Sequence, residues 1–172
     1  SGGVPATHVF SMNGLYDPDI SLTGHQSLAF DNMMLFYNHY TVIGSKARMT
    51  FQNTDTSYCQ TIHCQLKDTS STTVNTVGAL ENGLCKYLTL GPHGSGNAIK
   101  VMTIPCSPNK FFGKKVLQDD IYRGDASNNP TEQVYLHITC TPPSGVDTSK
   151  VRFTIELDFI SILSEPKQLA QS

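Results

Sequence analysis

FDNMMLFYNHYTVIGSKARMTF, residues Phe30 to Phe51, carries two hydrophobic periods in one run. In its first half Phe30, Met33, Met34 and Tyr37 recur at helical spacing, with Asp31 as a favourable first-turn carboxylate. In its second half Ala47, Met49 and Phe51 alternate with Lys46, Arg48, Thr50 and Gln52, the period of a strand with one buried and one polar face. Between them Tyr40, Thr41, Val42 and Ile43 are strand formers, followed by Gly44. The pattern predicts a short helix over Leu28–Asn38 that feeds a long amphipathic strand over Tyr40–Asn53. Such a pattern reports packing before it reports function.

Working outward, residues 1–27 read as an extended N-terminal segment with turn signals at Asn13-Gly14 and Asp17-Pro18. After the long strand, Thr54-Asp55-Thr56 predicts a turn and Tyr58–Leu66 a second strand. The Ser/Thr-rich stretch from Asp68 to Asn82 reads as a loop with one helical turn around Val74–Leu80. Strands are expected at Lys86–Leu90, Ala98–Ile104, Glu132–Cys140 and Val151–Ile162. The glycine-rich Gly91–Asn97 fits no regular element, Phe111–Lys115 reads as a basic and aromatic loop, and Leu117–Tyr122 as a short helical turn. Six clear strands with long connections predict an all-β fold: a single antiparallel jelly-roll sandwich, residues 1–172 forming one domain, with short helices in the connections.

Composition supports that class. Of 172 residues only 15% are charged, the formal net charge is −2 and Trp is absent. So weak a field does not by itself demand nucleic acid or a membrane surface. No apolar run approaches the ~20 residues that span a bilayer, and Ser1–Phe10 has neither the basic start nor the apolar stretch of a secretory signal. Insertion into a membrane is therefore not expected. Cys59, Cys64, Cys85, Cys106 and Cys140 are odd in number and irregular in spacing, which reads as reduced, mostly buried thiols. Asn129-Pro130-Thr131 is excluded as a glycosylation acceptor by its proline.

Few residues form a constellation that carries chemistry. None of the six histidines sits in a metal or triad motif, no G-x-S-x-G elbow is present, and Gly91–Asn97 lacks the Lys-Ser/Thr ending of a phosphate loop. His63 and Cys64 point to opposite faces of one strand, so a shared metal is not expected. No catalytic residue and no cofactor is assigned. Asp17 and Asp19 offer two carboxylates, well short of the six to eight oxygens of a Ca²⁺ site; they stand as weak metal candidates against a plain turn. Lys46 and Arg48 share the polar face of the first long strand, and Lys150 and Arg152 begin the last. Antiparallel pairing of these strands would set Lys46 and Arg48 near Glu156 and Asp158, either as cross-strand ion pairs or as part of a phosphate-contacting wall. Lys114 and Lys115 follow Phe111 and Phe112, as in surfaces where bases stack beside cations, or they belong to a plain exposed loop. A sugar-binding, lectin-like module is the alternative from another class, with Tyr122, Asp125 and Asn128 as its shallow loop site.

Several motifs follow one another in a fixed order: Tyr16-Asp17-Pro18-Asp19, Gly24-His25-Gln26, Phe30 through Lys46, Tyr87 through Gly94, Phe112 through Leu117 with Asp119-Asp120, Asn129 through Ile138, and Glu165-Pro166-Lys167-Gln168. This series resembles the capsid proteins of circovirus-like, Rep-encoding circular single-stranded DNA viruses, over most of the chain from Asn13 onward. The resemblance implies a jelly-roll coat protein that assembles with itself into a small icosahedral (T=1) shell around a single-stranded DNA genome. It implies residence in the virion, with the host nucleus or cytoplasm as the place of assembly. It also implies an Arg-rich arm ahead of this point, which would make most of the DNA contacts; no such basic run stands in this sequence. A divalent cation at subunit contacts and a glycan on the host surface are further partners that a coat protein of this kind would take.

Overall fold

Alternating apolar and polar residues carry most of the chain into strands. The computed structural model describes residues 5–21, 25–72, 81, 84–143, 146 and 148–168. Among these, seven strands appear: β1 (Ala6–Ser11), β2 (Tyr37–Asn53), β3 (Gln60–Lys67), β4 (Cys85–Leu90), β5 (Ile99–Cys106), β6 (Tyr135–Thr141) and β7 (Val151–Pro166). They form two antiparallel sheets of order β1-β6-β3-β4 and β5-β2-β7. β3 and β4 pair from Gln60 opposite Leu90 to Gln65 opposite Cys85. The fold is the all-β one expected, two antiparallel sheets with short helices in the connections.

The helix expected over Leu28–Asn38 is only the five residues Phe30–Met34, α1. Phe30 and Met34, one turn apart, are buried, whereas Leu28, Leu35 and Phe36 are exposed. The apolar spacing beyond Met34 therefore finds nothing to pack against, and sheet pairing takes the chain from Tyr37 onward. The loop expected at Phe111–Lys115 is corrected as well: Pro108–Phe112 is a helix, α2. Pro108 stands at its start, where a missing N–H costs nothing, and Gly113 (φ 65°) closes it in the left-handed conformation. Two 3₁₀ turns, Val116–Gln118 and Asp120–Tyr122, replace the single turn expected there. The helical turn expected at Val74–Leu80 lies outside the described residues.

Two compact units are distinguished. The first comprises Ser1–Val9, Ala47–Ile104 and Leu136–Glu156. Its core takes Ala47, Met49 and Phe51 from β2, Ile62 and Cys64 from β3, Leu90 from β4 and Leu136 from β6, so both sheets contribute. A cleft of about 180 Å³ opens beside that core, lined by Ala6 and His8 of β1, Phe51, Ile62 and Ile138, and Val151 and Phe153 of β7.

The second unit comprises Phe10–Lys46, Pro105–Tyr135 and Leu157–Ser172. Leu15, Phe30, Met34, Tyr40 and Val42 form its buried cluster, with Tyr16, Phe159 and Leu163 packed against it. The rings of Phe30 and Tyr40 meet edge to face at 5.5 Å. Ser45 Oγ, on β2, donates to the carbonyl of Met12, which follows β1.

Candidate functional site

The polar face of β2 meets that of β7 in one register. Lys46 Nζ lies 2.8 Å from Asp158 Oδ2 and Arg48 Nη1 lies 3.3 Å from Glu156 Oε2. Thr54 N–H donates to Lys150 O at 2.9 Å, and Gly44 faces the Ile160 side chain. Each of these pairs belongs to a single antiparallel alignment, so the ion pairs follow directly from alternation on two paired strands. All four charged side chains are more than half exposed, and each pair contributes at most ~1 kcal/mol. Lys150 Nζ lies 3.4 Å from Asp55 Oδ2. The Ser57 and Tyr58 N–H groups donate to Asp55 and, with Lys150, hold its carboxyl below the usual carboxylate range. Arg152 is exposed and meets no carboxylate among the described residues.

Lys114 and Lys115 are exposed just beyond α2. The aromatic rings beside them are engaged within the chain: Phe111 meets Phe112 edge to face at 5.2 Å, and Phe112 lies 4.8 Å from Tyr122. Tyr122 itself is 4% exposed. That corrects the sugar-site expectation, because the ring on which a sugar would stack is inside the second unit. Asp125 and Asn128 are engaged with each other, Asn128 Nδ2 lying 3.2 Å from both carboxylate oxygens.

Asp19 Oδ1 accepts from Ser21 N–H at 3.2 Å, closing a local turn. One oxygen of Asp17, Oδ1, is buried without a hydrogen-bond partner. No group of three or more His, Cys, Asp or Glu among the described residues is arranged to hold a metal ion.

Sequence reasoning missed the centre of the second unit. The Tyr40 hydroxyl accepts the N–H groups of Leu15 (3.1 Å) and Tyr16 (3.4 Å) and lies 3.3 Å from Asn129 Oδ1. Burial pushes its pKa up to about 12. Gly124 exchanges two 2.9 Å main-chain hydrogen bonds with Tyr40, and a Cβ there would run into the Tyr40 ring. In the first unit the fully buried Asn53 plays a similar part. Its Nδ2 donates to Tyr58 O and Gly91 O, both at 2.8 Å, and so fixes the start of the Gly91–Asn97 loop. The available signal was a polar residue standing where the alternation of β2 demands an inward side chain.

No family model matches the chain, and no curated protein matches it. Among solved structures it is similar to turnip yellow mosaic virus, at 17% identity and a TM-score of 0.49 over 100% of this chain and 99% of that one. It is also similar to Desmodium yellow mottle tymovirus (18%, 0.47, 100% and 94%) and broad bean stain virus (9%, 0.48, 100% and 86%). These structural neighbours are viral capsid proteins.

Proposed function

We propose that this chain is the coat protein of a circovirus-like virus, a single jelly-roll domain that assembles with itself into a small icosahedral shell around circular single-stranded DNA. The observation that carries the reading is where the ordered motifs meet. Tyr16-Asp17, Tyr40 and Asn129 come from three separate motif stretches, and they join in one hydrogen-bonded node of the second unit. The residues that carry the resemblance are thus residues this fold needs, which gives the series a physical cause.

Self-assembly needs surface that gains by being covered. Leu28, Leu35 and Phe36 around α1 and Tyr87, Ile99 and Val101 on β4 and β5 are large apolar side chains left exposed, Leu28 by 95%. These are the candidate subunit contacts. Arg152, Lys114 and Lys115 are the candidate DNA contacts within the chain, because Lys46, Arg48 and Lys150 already face carboxylates. So few uncompensated cations predict weak, salt-sensitive and nearly sequence-blind DNA binding, with an Arg-rich arm supplying most of the affinity. The protein would reside in the virion and, during assembly, in the host nucleus or cytoplasm. No catalytic step is assigned.

Negative-stain microscopy of the purified chain, with its ultraviolet absorbance ratio, tests this reading. Uniform closed particles are expected. A monodisperse monomer across a range of salt and pH would overturn it.

A further inference from the structure

The first unit contains space that its own side chains do not fill. The cleft of about 180 Å³ lies wholly within that unit. Phe51 of β2, Ile62 of β3 and Ile138 of β6 line it, yet each is at most 4% exposed, so its floor is core. Close-packed interiors leave few voids larger than a water molecule, and a cleft of this size is an exception to that packing.

The lining selects the class of occupant. Among the described residues no Lys, Arg, Asp or Glu lines the cleft, so a charged ligand would lose its water and gain no counter-charge. The hydroxyls and the thiol on its wall are engaged inside the chain. Thr7 Oγ1 lies 3.1 Å from Thr139 Oγ1, Ser149 Oγ donates to Cys140 O at 3.1 Å, and Cys140 Sγ lies 3.8 Å from Gln60 Oε1. Water there finds few partners, and an apolar molecule that displaces it gains. Three rings stand in series on the wall. His8 meets Phe153 edge to face at 5.6 Å, and Phe153 lies 6.1 Å from Phe51 with a tilt of 37°. A further ring can meet them edge to face or offset, the arrangements that aromatic pairs favour. An apolar cavity of about 150 Å³ accepts benzene, so this cleft has room for one six-membered ring with a small substituent.

We propose that this cleft is a binding site for a small uncharged aromatic molecule, its ring seated beside His8, Phe51 and Phe153. The site needs no second chain and stands whether or not the protein assembles into a shell.

Equilibrium dialysis with labelled benzene, on the wild-type chain and on Val151→Phe and Ala6→Phe, tests the site. The wild type is expected to take up benzene saturably, about one per chain, with half-saturation on the order of 1 mM. Cyclohexane should bind roughly threefold more weakly, because it lacks the ring quadrupole. Each substitution puts a benzyl group into the cleft from a different strand, β7 or β1, and should weaken benzene binding by roughly tenfold in a chain whose circular dichroism is unchanged. A second measurement needs no variant. Cys140 lines the cleft, so benzene at about ten times the half-saturating concentration should slow its alkylation by about tenfold and leave that of the exposed Cys59 unchanged. Uptake that never saturates, cyclohexane bound as tightly as benzene, a folded cleft variant that binds as the wild type does, or Cys140 alkylated at the same rate with benzene present would each overturn the proposal.

Discussion

Asn129 grips the main chain of Asp17 from both sides. Its Nδ2 donates to Asp17 O at 2.6 Å, and its Oδ1 accepts from Asp17 N–H at 3.1 Å. One amide side chain thus pairs both main-chain groups of a residue 112 positions away in sequence. Asn129→Ala leaves both Asp17 groups without this partner and should destabilise the chain by about 2–3 kcal/mol. Asn129→Asp keeps the shape but loses the donor, and should fall between the two. Urea unfolding of the three chains checks the order.

Tyr40 and Gly124 give a second, steric test. Gly124→Ala puts a methyl group into the Tyr40 ring, so the main-chain bridge between the two residues must open. Tyr40→Phe removes only the hydroxyl that accepts from Leu15 and Tyr16 and should cost about 1–2 kcal/mol. The glycine substitution should be the more damaging of the two in thermal unfolding. The opposite order would mean that the loop carrying Gly124 yields easily.

His63 and His137 are both buried in the first unit, and burial, with Lys67 nearby, lowers both below the ordinary imidazole value of 6.5. Over the interval between the folded and ordinary values the unfolded chain binds more protons than the folded one. Stability is therefore complete above the ordinary value and falls as pH drops through that interval. His63→Gln should flatten the decline. Unfolding midpoints measured from about pH 7.5 down to about pH 5 would show it. Asp55, held below its ordinary value, adds a further loss at more acidic pH as it protonates.

Thiol reactivity should divide sharply. Burial pushes Cys64 up to about 12 and Cys106 up to about 11, so neither offers appreciable thiolate at neutral pH. Cys59 is exposed. Alkylation of the folded chain should label Cys59 first and leave Cys64 and Cys106 unmodified until denaturant is added, as peptide mass spectrometry would record.

Lys46→Ala and Arg48→Ala should each change stability by less than about 1 kcal/mol, because their partners are as exposed as they are. If either residue also contacts phosphate, its loss should lower nucleic-acid retention without lowering the unfolding midpoint. Filter binding at two salt concentrations separates the two roles.

The long strands were legible because period-two alternation is strong over many residues. β2 and β7 were placed from it, and so was the meeting of Lys46 and Arg48 with Asp158 and Glu156. Their ends were not legible. β2 begins at Tyr37 because pairing with its neighbours overrides a helical spacing that has no surface to bury against. α2 hid in and before the stretch that reads as a basic and aromatic loop, although Pro108 at the start and Gly113 at the end mark a helix. The Asn129–Asp17 grip was invisible because hydrogen bonding across 112 residues leaves no periodic trace.

Each compact unit is assembled from three separate pieces of chain, and β2 and β7 each lend residues to both. A growing polypeptide on the ribosome therefore has no early fragment that can fold as a finished block. Seventeen residues of β2 emerge long before Val151–Pro166, their partner, has been made. Until then the strand is open to any other extended chain, so synthesis rate and chaperone cover should govern the yield of soluble protein as strongly as final stability does.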